Sequence, residues 1–123
     1  MSPTFRCARP TNALAPLRRF YVEGVGCVEL GRFEEHAGFD GLILGAPGES
    51  WQLELVVERG VVAPRAPTQE HLLVFYVADT TVIADRLRGL GAREVTPNNP
   101  YWAAHGMTFE DPDGYHVVIA QRA

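Results

Sequence analysis

The feature that most constrains this 123-residue chain is that one order of structural elements occurs in it twice. Phe5 to Pro10 reads as a strand. Asn12 is placed to cap a helix whose Leu14, Leu17, Phe20 and Tyr21 recur at three- and four-residue spacing, with Gly24 as its stop. Pro16 falls in the first turn of that helix, where the amides have no intrahelical acceptor. Three strands follow, Cys27 to Glu34, Phe39 to Leu44 and Trp51 to Glu58, separated by turn sequences at 36–38 and 46–49. Residues 59–68, with Pro64 and Pro67, read as a connector, and then the order begins again. A strand from His71 to Val77 leads to a helix capped by Asp79 or Thr80. That helix runs through Val82, Ile83, Leu87 and Leu90 to Gly91, and strands follow near Arg93, from His105 to Glu110 and from Tyr115 to Gln121.

Individual residues match between the halves. Asn12 corresponds to Asp79 at the helix caps, Gly41 to Gly106 at a strand opening, and Pro47 to Pro112 in the following turn. One extra residue in the first hairpin then aligns Trp51 with Tyr115, Leu53 with Val117, Glu54 with Val118 and Leu55 with Ile119. A unit of this length is a duplicated module rather than a solenoid repeat. The expectation is one α+β domain over residues 1–123, with a β-α-β-β-β module at 5–58, a linker at 59–68 and a second module at 69–121.

Composition narrows the function classes. Hydrophobic residues make up 46% of the chain, enough for a core without disulfide or metal staples. All eleven basic residues are Arg and only Arg18 and Arg19 are adjacent; with a net charge of −4 this argues against a basic groove for nucleic acid. Cys7 and Cys27 form no Cys-x-x-Cys pair and read as free thiols. The sequence has no apolar run long enough to span a membrane and no signal-peptide pattern, so a cytoplasmic address is expected.

The most specific local phrase is Gly106-Met107-Thr108-Phe109-Glu110-Asp111-Pro112-Asp113-Gly114-Tyr115, a strand, a tight turn and a return. Together with the duplication, it resembles the hairpin before the last strand in the glyoxalase/bleomycin-resistance/extradiol-dioxygenase, or vicinal oxygen chelate, superfamily. Leu17-Arg18-Arg19-Phe20-Tyr21 with Gly24-Val25-Gly26 is similar to that superfamily's first helix and its following turn. Asn99-Pro100-Tyr101-Trp102 ahead of His105-Gly106 resembles a subgroup of small single-domain bacterial members. The resemblance implies a curved mixed sheet around a cavity, and a homodimer.

Metal-dependent members of the superfamily place a ligand on the first and last strand of each module. Counted from the helix caps and the matched strands, those positions hold Phe5, Glu54, Leu72 and Val118, so one of the four can coordinate. His71 sits one residue from Leu72 and needs a bulge to reach the same face, and His116 lies two residues before Val118. No cofactor is therefore expected. The alternative is a divalent metal on Glu54 with His71 or His116, serving a lyase, isomerase or dioxygenase.

Strand alternation in the superfamily register lines the cavity with Phe5, Cys7, Arg9, Gln52, Glu54 and Val56, and with Leu72, Val74, Tyr76, His116, Val118 and Ala120. The resemblance implies a loop over the cavity where Tyr101, Trp102 and His105 fall, with Asn98-Asn99-Pro100 as its irregular backbone; Trp102 reads alternatively as core packing, and His36 and His105 as surface or hydrogen-bonded residues. Arg9 is placed either to grip a ligand carboxylate or to pair with Glu54. Glu54 is a remnant ligand, a general base or the partner of Arg9. The leading function is binding of a small organic molecule, with a metal-dependent or metal-free enzyme and a non-catalytic dimeric scaffold as the other classes. Elemental analysis of protein purified without chelators is expected to find no stoichiometric transition metal. A stoichiometric metal that disappears in Glu54→Ala would overturn the ligand count.

Overall fold

The computed structural model describes residues 2–122, and the duplication is present in it as two four-stranded mixed sheets, neither of them closed. The chain divides into two compact units with the boundary between Pro64 and Arg65, inside the expected linker. In module one, β1 (Phe5–Pro10) leads to α1 (Leu14–Arg18), which continues as a π-helical segment (Arg19–Val25). Next come β2 (Val28–His36), β3 (Phe39–Gly45) and β4 (Trp51–Glu58), giving the sheet order β1-β4-β3-β2. Module two repeats this with β5 (Leu72–Val77), α2 (Thr80–Gly89), β6 (Arg93–Val95), α3 (Pro100–His105), β7 (Gly106–Glu110) and β8 (His116–Gln121), ordered β5-β8-β7-β6. In each sheet the first and last strands pair in parallel and the others are antiparallel. Among the described residues no helix is long and apolar enough to cross a membrane.

Period-two burial builds the core of module one. Leu42, Leu44, Leu53 and Leu55 are each at most 2% exposed and face the helix, where Leu17, Phe20 and Tyr21 are buried as well. Each such side chain contributes on the order of 1.5–3 kcal/mol. In module two, Val117, Ile119 and Phe109 are buried with Ile83, Ala84 and Leu87 of α2.

Two helix ends differ from the sequence expectation. Asn12 caps nothing: its side chain donates to the Ala63 carbonyl at 2.9 Å and accepts from the Ala63 amide at 2.6 Å, tying the linker to the end of β1. The cap position is Ala13, without a side-chain bond, so the helix starts one residue later than expected. Its other end passes Gly24 and stops at Gly26, whose φ of 100° is open to glycine and whose amide bonds the Tyr21 carbonyl. In module two, Asp79 caps α2 as expected, accepting from the amides of Thr81 and Val82.

Of the stretch expected as an irregular loop, Asn98 and Asn99 are irregular and Pro100–His105 form a helix. Asn99 accepts from the Tyr101 amide and Pro100 occupies the first helical position, a combination that starts a helix. The Asp-Pro-Asp-Gly turn is as read, with the buried Asp111 carboxylate accepting from the amides of Asp113 and Tyr115, both at 2.9 Å.

Gly106 is required by close approach, since a Cβ there would lie 2.1 Å from the Ile119 carbonyl oxygen, a backbone atom that cannot move aside. Gly106→Ala is expected to cost about 3 kcal/mol or more. Gly89→Ala, which meets nothing within 4 Å at the end of α2, should instead raise stability by up to about 1 kcal/mol. Urea denaturation of the two variants checks both; equal midpoints would remove the packing argument.

Candidate functional site

The helix-facing leucines of module one leave the opposite face of its sheet open. In the parallel β1–β4 ladder Arg6 lies across from Gln52 and Ala8 from Glu54, whereas Cys7 and Arg9 lie across from Leu53 and Leu55. Gln52, Glu54, Val56 and Glu58 therefore share the open face with Arg6, Ala8 and Pro10. Phe5, Cys7 and Arg9, expected beside Glu54, project to the other side. Arg9 is 6% exposed, donates from Nη2 to the Tyr21 hydroxyl at 3.1 Å, and holds its guanidinium 5.8 Å from that ring's centroid. Phe5 is 67% exposed.

The physical reason is the cap. Because Asn12 bonds Ala63 and the helix begins one residue later, counting back from the true cap position brings Arg6, not Phe5, to the place that Leu72 holds in module two. The ladders agree. Arg6 pairs with Gln52 two residues before Glu54, as Leu72 pairs with His116 two residues before Val118. A one-residue slip exchanges the two faces of a strand.

Arg6 thus replaces Arg9 as the partner of Glu54. Its Nη1 lies 2.9 Å from Glu54 Oε1 and its Nε donates to Gln52 Oε1 at 2.8 Å. The four positions at which the superfamily's metal ligands fall hold Arg6, Glu54, Leu72 and Val118, and the one carboxylate among them is engaged by a guanidinium. This donor set does not fit a transition-metal ion, which takes three or four neutral-nitrogen, sulfur or carboxylate ligands. Among the described residues no three His, Cys, Asp or Glu side chains come together as a ligand group.

A cavity of about 470 Å³ opens on this face, lined by Ala8, Arg9, Pro10, Val56 and Glu54 from β1 and β4 and by residues of the β2–β3 hairpin. Arg9 borders it from β1 while its guanidinium reaches Tyr21 on the other side. The hairpin contributes Phe33, His36, Ala37 and Phe39, and Glu58 stands at the end of β4. None of the hairpin residues was a candidate from sequence. Uninterrupted alternation places Phe33 and His36 on opposite faces, but the β2–β3 register shifts between them, so both join Phe39 on one face. Glu35 takes a φ of 50° in that bulge; its amide donates to Asp40, whose carboxylate also receives Arg59. Arg59 holds the Asp40 carboxyl below its ordinary range, with the Glu35 amide adding to the effect. Gly41 completes the floor: a Cβ there would fall 2.1 Å from the Phe33 ring, so its absence lets the ring lie flat on the sheet. Among these signals, only the glycine was visible in the sequence.

Module two keeps its first and last strands in unshifted register. Leu72, Val74 and Tyr76 lie across from His116, Val118 and Ala120 in an unbroken ladder. With no bulge in β5, His71 does not take the place of Leu72, and its ring packs edge-on against Tyr115 at 5.8 Å. His116 is buried, with Leu72 on one side and Glu110 across the other. Trp102 and Leu72 line a smaller recess of about 130 Å³ beside Asn98, which donates to Glu70 at 2.7 Å. His105 ends α3, stacked on Tyr101 at 4.2 Å. Glu54 belongs to one unit and His71 and His116 to the other.

Residues 5–56 match the YycE-like N-terminal domain and residues 70–121 the YycE-like C-terminal domain. The uncharacterised protein YycE of Bacillus subtilis strain 168 is 40% identical over 117 residues, which cover 93% of this chain and 84% of that protein. The crystal structure of a YycE protein of unknown function from Bacillus subtilis, proposed to be a glyoxalase/fosfomycin resistance protein, matches with a TM-score of 0.87 at 39% identity, over 96% of this chain and 88% of that one. Two more distant structures share the fold. Leishmania major glyoxalase I has a TM-score of 0.80 at 17% identity, covering 98% of this chain and 87% of that one. TnmS3, an antibiotic-binding protein from Streptomyces sp. CB03234, has a TM-score of 0.71 at 24% identity, covering 100% and 98%.

The cysteines give a chemical check on β1 and the helix end. Cys27 is 6% exposed, and burial pushes its thiol up to about 12, while Cys7 is partly exposed. At pH 8 a thiol reagent should titrate Cys7 in the native protein and Cys27 only after unfolding. The raised value also means that stability present below pH 9.0 is lost as pH climbs toward about 12, because the unfolded chain releases this proton first. Cys27→Ala should remove that part of the alkaline loss; equal native reactivity of the two thiols would contradict the assigned burial.

Proposed function

The chain belongs to the YycE-like family within the glyoxalase/bleomycin-resistance superfamily, and from that premise we propose that it binds a small organic molecule, without a metal, on the open face of module one. The observation that carries this reading is the cavity of about 470 Å³ with an apolar floor of Ala8, Pro10, Val56, Phe33 and Phe39. Small-molecule sites have this character: roughly 300–1,000 Å³, mostly apolar, with a few polar groups that orient the ligand.

Binding is favoured over metal-assisted chemistry by Arg6, whose guanidinium supplies to Glu54 the positive charge that an ion would otherwise bring. The same pairing engages Oε1 of the Glu54 carboxylate, so a general-base role would require that bond to be shared or broken. A related fold serves antibiotic binding in the Streptomyces protein, which supports this use without identifying the ligand. The resemblance to dimeric relatives extends the proposal to a homodimer acting in the cytoplasm.

Thermal denaturation across a library of small organic molecules tests the reading. A ligand at a hundredfold excess over its Kd should add about 2.7 kcal/mol, on the order of 10 °C in Tm for a chain this size. Ala8→Trp, which fills the cavity from an exposed position of β1, should abolish the shift while the unliganded Tm stays near that of the parent. A library with no stabilising member, or a shift that survives Ala8→Trp, would sink the proposal.

A further inference from the structure

The sequence places Arg9 either to grip a ligand carboxylate or to pair with Glu54, but the uncompensated charge at the cavity is a carboxylate. The Arg9 guanidinium goes to Tyr21 on the helix side. At one end Glu54 lines the cavity with its carboxylate held by Arg6. At the other end stands Glu58, across from Phe39 in the β3–β4 ladder, and Phe39 in turn lies across from His36. Glu58 forms no ion pair among the described residues, and its sequence neighbour Arg59 is taken up by Asp40 and Glu35.

The rings at that end are set in relation to one another. Phe33 lies over Gly41, and His36 meets it edge-on with ring centroids 6.1 Å apart. Aromatic faces and an uncompensated carboxylate around an apolar recess form the environment in which ammonium and quaternary ammonium groups are held. The ring quadrupoles and the carboxylate both attract the cation, and the apolar walls take its methyl or aryl body. An anionic ligand would meet Glu58 and the electron-rich ring faces, with the guanidinium groups of Arg6, Arg9 and Arg59 already engaged.

We infer that the ligand of module one is a small organic cation, an amine or quaternary ammonium on an apolar body. Its charged head lies between Glu58 and the rings of Phe33, His36 and Phe39, and its body lies along Val56 and Ala8. This rests on the small-molecule reading proposed above and names the ligand class for the same cavity.

Three probes of similar size separate the possibilities when titrated into the protein by NMR: (4-hydroxyphenyl)trimethylammonium, its neutral isostere 4-tert-butylphenol, and 4-hydroxybenzoate. The cation should bind about fivefold or more tighter than the isostere, with shifts at Phe33, Phe39 and Glu58, and the benzoate weakest of the three. Glu58→Gln, an exposed change that leaves the core untouched, should bring the affinity for the cation down about fivefold and leave that for the phenol unchanged. Phe33→Leu should weaken the cation more than the phenol. If the phenol or the benzoate binds as well as the cation, the inferred class is wrong while small-molecule binding stands. If none of the three perturbs the cavity at millimolar concentration, the inferred class and the small-molecule reading both fall.

Discussion

Burial of one face of the β3–β4 ladder dictates what module one can offer on the other. Leu42 and Leu44 on β3 lie across from Leu55 and Leu53 on β4, and all four are sealed against the helix that carries Leu17 and Tyr21. Because strand side chains alternate, fixing these four commits Gln52, Glu54, Val56 and Glu58 to the open side. The neighbouring strands then inherit their facing from the hydrogen-bond register. The open face is thus a by-product of the core, and its chemistry depends on which residues the register of β1 and β2 delivers to it.

Both flanking strands arrive with their parity shifted, one by a hydrogen bond and one by a bulge. Asn12 exchanges two bonds with the Ala63 backbone instead of capping the helix, and the displacement brings Arg6 rather than Phe5 or Arg9 to Glu54. On β2 the bulge around Glu35, held by Asp40 and Arg59, turns Phe33 and His36 to the same side. A site that would have offered a bare carboxylate and a buried Arg becomes an aromatic recess with Glu58 as its uncompensated charge. Small backbone adjustments change which side chains a face offers because each of them reverses a whole strand face.

Module two shows the same architecture without either shift. Asp79 caps its helix, β5 pairs with β8 in unbroken register, and its face is the apolar set Leu72, Val74 and Val118 with His116. The two halves share one layout and present different surfaces, so the fold they share with glyoxalases and an antibiotic-binding protein does not by itself choose between chemistry and binding. The choice lies in the side chains that each register presents.

The sequence by itself determined the architecture. Element order apart from α3, the duplicated module, the Asp79 cap and the Asp111 turn were legible because helix periodicity, turn chemistry and strand alternation are local properties, written within a few residues of where they act. The facing of module two was legible for the same reason, since nothing interrupts its alternation. What only the tertiary structure decided is the facing of β1 and β2 in module one. β1, with Phe5, Arg6, Cys7, Ala8, Arg9 and Pro10, has no hydrophobic alternation to reveal its buried side. Its register depends on a bond from Asn12 to a residue 51 positions away. The β2 bulge likewise depends on Asp40 and Arg59 meeting Glu35 across the sheet. Such contacts exist only once the chain has folded, and no local signal could have shown that Arg6, Phe33, His36 and Glu58 share a face.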